Sequence, residues 1–175
     1  MFNSQFNGIS GNDWDFYPKA LRHEIDAINA FIYDNINNGV YKTGFARTQE
    51  AYETNVRNLF KALDKIEKIL EKQAYLVGDG ITEADWRLFT TLVRFDAVYV
   101  GHFKCNIRRI EDYPNLSNYV RALYQVHGID MTVNLNHIKR HYYYSHTTIN
   151  PSQVVPSGPE ERFYDKHNRP KVELR

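Results

Sequence analysis

Cysteine is almost absent from the sequence, which contains one, Cys105, among 175 residues. A single thiol cannot form a disulfide within the chain, and this usage is typical of proteins kept in a reducing compartment. The chain is long enough to bury a sizeable apolar core. The sequence therefore predicts a cytoplasmic protein that is stabilised by packing and not by disulfides.

The sequence also lacks a long apolar run and an excess of charge of either sign. No stretch approaches the roughly 20 apolar residues of a membrane-spanning helix, and the first residues lack the basic and apolar regions of a signal peptide. The 22 Lys and Arg residues nearly balance the 21 Asp and Glu residues, which gives a net charge of +1. This balance provides no electrostatic reason to expect nucleic acid or a membrane surface as a partner.

Proline is rare before residue 147 and concentrated after it. Four of the six prolines lie in 147–175, where they remove backbone donors and disfavour helix interiors. We expect this stretch to be an irregular tail that either lies across the surface or trails free from it. Residues 1–12, which contain Gly, Asn and Ser with little pattern, are interpreted as a leader, so the folded domain is expected within residues 1–146.

Apolar residues at helical spacing predict two long helices after the leader. The first spans about 18–36, and Asn37-Asn38-Gly39 is expected to end it because these residues accept left-handed backbone angles. A short connection, 40–46, leads to a second helix with Thr48 as its N-cap. The buried face of this helix is predicted from the spacing of Tyr52, Val56, Leu59, Leu63, Ile66 and Leu70. The two helices should pack antiparallel.

The stretch 81–100 is apolar almost all round and predicts a helix at the centre of a bundle. Thr82 and Asp85, three residues apart at its start, form a variant of the capping box, in which the side chain of each residue bonds to the backbone of the other. Arg87, Thr91 and Arg94 form the one polar stripe. The stripe predicts an exposed seam or the edge of a cleft.

Two further helices are predicted after the central one. One begins at Pro114, because proline is favoured at the first helical position, and ends before Gly128. The other spans about 131–142, with Asp130 as its cap. We identify no internal repeat and no pair of strands. The sequence therefore predicts an all-α fold.

Several residues have spacings used by metal sites or nucleophiles, but none makes a complete site. His102-x-x-Cys105 would need a second pair of ligands to hold zinc. His137 and His141, with His146 nearby, could face one metal, yet no acidic partner is placed beside them. Cys105 is not at a recognisable helix start, which favours a structural thiol over a nucleophile. We therefore predict no metal site and no catalytic residue within this chain.

Tyrosine is the residue type that best suits a binding role. A phenol can donate a hydrogen bond to a thiolate or to a quinone-type oxygen, and it can stack on an aromatic ligand. Tyr41 is expected in a connection, while Tyr142, Tyr143 and Tyr144 come at the end of the last predicted helix. Successive helical residues point about 100° apart, so at most one or two of the three can face one pocket. A place in the core or on the surface is the alternative for each tyrosine.

Several stretches of the sequence resemble one known family. They are Tyr33-Asp-Asn-Ile-Asn-Asn-Gly-Val-Tyr-Lys-Thr-Gly-Phe-Ala46, Leu88-Phe-Thr-Thr-Leu-Val-Arg-Phe-Asp96, Tyr99-Val-Gly-His-Phe-Lys-Cys-Asn106, His137-Ile-Lys-Arg-His-Tyr-Tyr143, Ser145-His146 and Ile149-Asn-Pro151. With the Thr82-x-x-Asp85 box, they resemble the C-terminal domain of the glutathione transferases. More narrowly, they resemble the xi class, the glutathionyl-hydroquinone reductases. The resemblance covers about 1–159.

The resemblance implies a glutathione transferase C-terminal-like helical bundle that takes part in reducing glutathionyl-hydroquinones, with glutathione as co-substrate. Members of this family have an N-terminal thioredoxin-like domain, which supplies the catalytic cysteine and most of the glutathione site. No part of this sequence matches that domain. The resemblance therefore implies a C-terminal half, inactive or nearly so by itself, that supplies the aromatic substrate pocket and a homodimer interface.

The resemblance also points to individual residues. Tyr41, Tyr142 and Tyr143 match the positions that line the aromatic substrate pocket, whereas Tyr144 departs from the family pattern. The hydroxyl groups would stabilise charge that develops on a ring oxygen of the leaving group. Arg94 and Trp86, in the central helix, would only support the pocket.

A second hypothesis belongs to a different functional class. Transferase-like C-terminal domains also serve as non-catalytic protein-interaction or assembly modules, for example in translation complexes. The missing nucleophile favours such a module for the isolated chain. Tyr41 and the Tyr142-Tyr143 pair favour a reductase origin, because an assembly module has no need for them.

Overall fold

The computed structural model describes residues 3–11 and 13–170. Every regular element in this part of the chain is helical, so the all-α prediction is confirmed. The outer parts of the predicted leader and tail, 1–2 and 171–175, lie outside it. Among the described residues, no helix is both long and apolar enough to cross a membrane. The α-helices are α1 (Asn7–Ser10), α2 (Arg22–Ile32), α3 (Asn38–Gly44), α4 (Gln49–Lys72), α5 (Glu83–Arg94), α6 (Pro114–Tyr124) and α7 (Leu135–Ser145).

The first long helix extends further than the sequence predicts. α2 passes through a π-helical turn, Tyr33–Asn37, directly into α3, so there is no helix exit at Asn37-Asn38-Gly39. The predicted exit is wrong because Gly39 allows α3 to pack closely against α4 and does not end the helix. A Cβ atom on Gly39 would lie 3.4 Å from Leu59 Cδ1 of α4. As a result, Tyr41 lies on a helix and not in a connection.

The second long helix, α4, begins and packs as predicted. The Thr48 hydroxyl accepts a hydrogen bond from the Ala51 amide at 3.2 Å. α4 buries most of the predicted apolar set, namely Val56, Leu59, Leu63, Ile66 and Leu70. After a short connection, α4 runs back along α3, which gives the expected antiparallel pair.

In the central helix, α5, the Asp85 carboxylate ties the first turn to two neighbouring segments. Asp85 is fully buried. One carboxylate oxygen accepts from the Leu76 amide at 2.9 Å and from the Tyr119 hydroxyl at 2.7 Å. The other accepts from the Thr82 amide at 2.7 Å and from the Thr82 hydroxyl at 2.9 Å. Burial raises the pKa of this carboxyl, and the four hydrogen bonds oppose the rise. Asp85 thus connects α5 to α6 as well as to Thr82.

The last two helices differ in how well their starts were predicted. α6 begins at Pro114, as expected. α7 begins later than predicted and runs to Ser145, because Asn134 is the residue that caps it: its side chain accepts from the His137 amide at 2.9 Å. Asp130, the predicted cap, instead begins a separate 3-10 turn, Asp130–Thr132.

The tail crosses the surface of the bundle, which was one of the two predicted alternatives, and has no regular helix over 147–170. The Phe163 ring stacks on the Tyr124 ring with 4.8 Å between centroids. The Arg169 guanidinium donates to the carbonyls of Gln73 and Leu70, each at 2.7 Å, where α4 ends. Carbonyl groups at the end of a helix lack partners within it. Arg169 of the tail therefore provides hydrogen-bond donors to carbonyl groups at the C-terminal end of α4.

Candidate functional site

An open cleft of about 630 Å³ lies beside α5, where two π-helical turns contact this helix. The first turn, Tyr33–Asn37, and the second, Phe95–Tyr99, each contribute to the wall. A π turn adds a residue to the helical repeat and reorients the side chains around it, and such turns are frequent at functional sites. The residues that line the cleft are Tyr33, Asn37, Asn38, Tyr41, Glu83, Trp86, Arg87, Thr90, Thr91, Arg94, Tyr99 and Tyr142.

Three tyrosines in this wall join their hydroxyl groups in a row, which we term the tyrosine chain: Tyr99, Tyr142 and Tyr41. The Tyr99 and Tyr142 oxygens are 2.9 Å apart, and the Tyr142 and Tyr41 oxygens are 2.7 Å apart. Exposure rises along the row, from 2% for Tyr99 and 6% for Tyr142 to 38% for Tyr41. The tyrosine chain therefore leads from the core to the open cleft.

Burial keeps the inner hydroxyls of the tyrosine chain protonated, so the row can donate in order from the core towards the cleft. It raises the pKa of Tyr142 to about 12 and that of Tyr99 still further, so both hydroxyls stay protonated at neutral pH. The buried Tyr99 hydroxyl needs an acceptor, and the adjacent Tyr142 oxygen provides one. Tyr142 can then donate to Tyr41. This order leaves the Tyr41 proton available to an oxygen atom of a ligand in the cleft.

The three consecutive tyrosines of α7 point in different directions. Tyr142 reaches the cleft, whereas the Tyr143 ring packs on His102, with 4.6 Å between the ring centroids. Tyr144 is exposed, and the Arg140 guanidinium lies 5.4 Å from the centre of its ring. Of the three tyrosines predicted to line a pocket, the fold thus brings Tyr41 and Tyr142 together and places Tyr143 elsewhere.

Tyr99 is a member of the site that the sequence analysis missed. Its position in the apolar stretch 81–100 predicts a core ring, and its ring is indeed in the core. Its hydroxyl reaches Tyr142 because α5 continues into a π turn, which shifts the register of the residues at its end. Tyr99 begins the stretch Tyr99–Asn106, which resembles the reductase family. This resemblance is the one feature of the sequence that could have indicated a role for Tyr99 in the site.

Cys105 has the environment of a structural thiol. It is fully buried, and its Sγ lies 3.9 Å from the Val40 carbonyl oxygen and 3.8 Å from that of Phe103. Burial raises the pKa of the Cys105 thiol to about 12. Because the thiolate is the nucleophilic form, Cys105 is neither accessible nor ionised enough to attack a substrate at neutral pH.

The histidines do not assemble in the way that a three-histidine metal site would require. His146 Nδ1 lies 3.1 Å from His102 Nε2, whereas His137 and His141 are exposed on α7. Across residues 3–11 and 13–170, no three His, Cys, Asp or Glu side chains come close enough together to hold a metal ion. The His102 and His146 rings pack against Phe103 and also against Tyr142, so the pair lies beside the tyrosine chain.

Acidification is expected to destabilise the fold through His102. Burial lowers the pKa of His102 from 6.5 to about 4, and it lowers that of His146 as well. Between these two values the unfolded chain binds a proton that the folded chain excludes, so the free energy of unfolding falls as the pH falls. Chemical denaturation at a series of pH values should show that the free energy of unfolding falls by an amount on the order of 1–3 kcal/mol as the pH is lowered through this interval.

Two variants separate this effect from general acid denaturation. His102→Gln should remove most of the loss between these pH values, whatever its effect on stability at neutral pH. His127→Gln, a change of an exposed imidazole in a loop, should leave the loss in place. An unchanged pH dependence in His102→Gln would contradict a buried neutral imidazole at this position.

Comparisons with known proteins agree with this fold. The family model for the glutathione S-transferase C-terminal domain matches residues 49–122. The chain is 50% identical over 169 residues to the glutathionyl-hydroquinone reductase YqjG of Escherichia coli strain K12, with 97% of this chain and 52% of that protein covered. It is 53% identical over 161 residues to the glutathionyl-hydroquinone reductase PcpF of Sphingobium chlorophenolicum, with 92% and 51% covered.

Solved structures give the same result. The glutathione-bound structure of YqjG superimposes with a TM-score of 0.94 over 97% of this chain and 55% of that chain. Glutathione transferase Xi 1 from Trametes versicolor is 57% identical, with a TM-score of 0.87 over 91% of this chain and 56% of that chain. The chain spans about half the length of the curated relatives it matches. Its helical bundle has the fold of the glutathione S-transferase C-terminal domain and is similar to the corresponding part of the xi-class structures.

Proposed function

We propose that this chain is the C-terminal domain of a glutathione-dependent reductase of glutathionyl-hydroquinones, and that its cleft binds the aromatic part of the substrate. The observation that carries the proposal is the tyrosine chain, which presents the Tyr41 hydroxyl at the mouth of the cleft. The names of the relatives, glutathionyl-hydroquinone reductases at 50% and 53% identity, support this activity.

In the proposed reaction a cysteine thiolate attacks the sulfur of the glutathionyl-hydroquinone. The substrate reacts as its keto tautomer, in which a proton has moved from a ring hydroxyl to the carbon that bears sulfur. A sulfur–sulfur bond then forms, the bond from sulfur to that carbon breaks, and its electron pair passes through the ring to the carbonyl oxygen, which becomes a phenolate. The phenolate takes a proton and leaves as hydroquinone, and a second glutathione thiolate releases glutathione disulfide from the cysteine. Because Cys105 is buried, we propose that a thioredoxin-like domain outside these 175 residues supplies the thiolate.

The proposed contribution of this chain is to orient the ring and stabilise the phenolate. The Tyr41 hydroxyl can donate to the ring oxygen on which charge develops, while Tyr142 and Tyr99 hold the Tyr41 oxygen and polarise its O–H bond. Trp86, which also lines the cleft, offers an apolar surface for the ring. Glutathione, the proposed co-substrate, would bind mostly to the thioredoxin-like domain.

A direct test is to fuse the chain to the thioredoxin-like domain of a close relative. The fusion is expected to reduce glutathionyl-hydroquinone, and the isolated chain is expected to show no turnover because it lacks an available thiolate. A folded fusion without activity would instead favour the alternative, a non-catalytic protein-interaction or assembly module, which the burial of the one cysteine also fits.

We further propose that the chain forms a homodimer, as the resemblance to the xi class implies. Light scattering at micromolar concentration should then give twice the monomer mass of 20.6 kDa. Cross-linking at the same concentration provides an independent check. A monomer in both measurements would contradict the proposal.

A further inference from the structure

Arg94 is a charged group of the cleft that has no counter-ion among residues 3–11 and 13–170. The other two charged residues of the wall, Glu83 and Arg87, form an ion pair with each other at 2.5 Å. Arg94 takes part in none of the ion pairs found among the described residues. Its Nη1 donates to the Thr90 carbonyl at 2.5 Å, which fixes the guanidinium at the last turn of α5. The cleft thus has a net positive charge.

The position of Arg94 relates this charge to the tyrosine chain. Arg94 lines the same cleft as Tyr41 and Tyr142. Its charge opposes the rise in the pKa of Tyr142 that burial causes, so the guanidinium lies within electrostatic reach of that hydroxyl. A guanidinium has five N–H donors, and the Thr90 carbonyl engages one of its nitrogens. The others remain available to a ligand beside the tyrosines.

We propose that Arg94 makes the cleft selective for aromatic rings that carry an anionic substituent, such as a carboxylate or an ionised hydroxyl group. The inference rests on the proposed function, in which the cleft binds the aromatic part of the substrate. A guanidinium pairs with such groups through short, charge-assisted hydrogen bonds, and partial burial in the cleft weakens the screening by water. A neutral ring would make the same contacts with the tyrosines and Trp86 but would leave Arg94 unpaired.

Two naphthoquinones of similar size provide the test. 2-Hydroxy-1,4-naphthoquinone is an anion at neutral pH, whereas 2-methyl-1,4-naphthoquinone is neutral, and neither carries glutathione. Each is titrated into the 175-residue chain at low ionic strength, with binding followed by calorimetry. The anion is expected to bind roughly tenfold more tightly, which is the worth of one hydrogen bond to a charged group. Added salt should reduce this preference.

Variants assign the preference to one residue. Arg94→Gln should abolish it and leave the affinity for the neutral quinone within about twofold of wild type. Arg57→Gln, an exposed change on α4 outside the cleft, should retain the preference. Thermal melts of both variants verify that the fold is intact.

The possible outcomes distinguish this inference from the function on which it rests. If both quinones bind equally well to the wild-type chain, or if Arg94→Gln keeps the preference, the role of Arg94 is overturned while the aromatic cleft stands. If neither quinone binds, the proposed aromatic cleft itself fails, and the inference fails with it.

Discussion

Replacing Tyr41 by Phe in the fused reductase is expected to lower kcat/KM for glutathionyl-hydroquinone roughly 10- to 1000-fold, the range for loss of one donor to a developing oxyanion. The change removes the one hydroxyl of the tyrosine chain that is exposed to the cleft. It retains the ring, whose centroid lies 5.3 Å from that of Phe103. Steady-state kinetics of the variant and the parent, with a thermal melt of each, make the comparison.

A matched control is available on α7. Tyr144→Phe removes a hydroxyl from an exposed ring that does not line the cleft, so both kcat/KM and the melting temperature should remain unchanged. A structural role for Tyr41 would give the reverse of the expected pattern in Tyr41→Phe, with a lower melting temperature and nearly full turnover. That result would contradict the assignment of the tyrosine chain as the substrate donor.

Replacing Asp85 by Ala is expected to lower the free energy of unfolding by about 3 kcal/mol or more, the largest loss of stability among the proposed variants. The substitution removes the acceptor of four hydrogen bonds and leaves the Leu76 and Thr82 amides and the Tyr119 hydroxyl without it in the core. In a chain of this length such a loss lowers the melting temperature by roughly 6–12 °C. Calorimetry of the 175-residue chain measures it directly.

Asp79→Ala is the control for Asp85. Asp79 lies exposed in the turn before α5, and its replacement should change stability by less than about 0.5 kcal/mol. Tyr119→Phe, which removes one of the four donors to Asp85, should have an intermediate effect of about 1 kcal/mol. Equal melting temperatures for Asp85→Ala and Asp79→Ala would show that the buried carboxylate does not hold α5 and α6 together.

The parts of the fold that the sequence predicted correctly depend on local chemistry. Thr48 caps α4, and Pro114 begins α6, because a hydroxyl and a proline ring act on the residues next to them. The apolar spacing of α4 likewise fixes its buried face. Such features need no knowledge of distant neighbours, and the fold bears them out.

The errors arose where a distant contact decides the local structure. The sequence Asn37-Asn38-Gly39 is typical of a helix exit, yet Leu59 packs against Gly39 and the helix continues. The capping box of Thr82 and Asp85 was predicted correctly, but the bond from Tyr119 to Asp85 crosses 34 positions of the chain and could not be predicted from spacing. The path of the tail also depends on a distant contact, because the Arg169 side chain donates hydrogen bonds to carbonyl groups at the end of α4.

The candidate site was predicted in part for the same reason. The resemblance to the reductases selected Tyr41 and Tyr142, which the fold places 2.7 Å apart between hydroxyl oxygens. It could not separate Tyr142 from Tyr143, because that choice depends on the rotation of α7 against His102. Tyr99 joins the row through a π turn, for which the sequence has no recognised pattern.

A crystal structure of the fused reductase with bound glutathionyl-hydroquinone tests the central claim most directly, with the nucleophilic cysteine of the thioredoxin-like domain replaced by serine to preserve the substrate. The account predicts that the hydroquinone ring lies in the cleft, with a ring oxygen about 2.5–3.0 Å from Tyr41 Oη, and with Tyr142 still bonded to Tyr41. A ring bound elsewhere, or a cleft occupied by the thioredoxin-like domain itself, would contradict it.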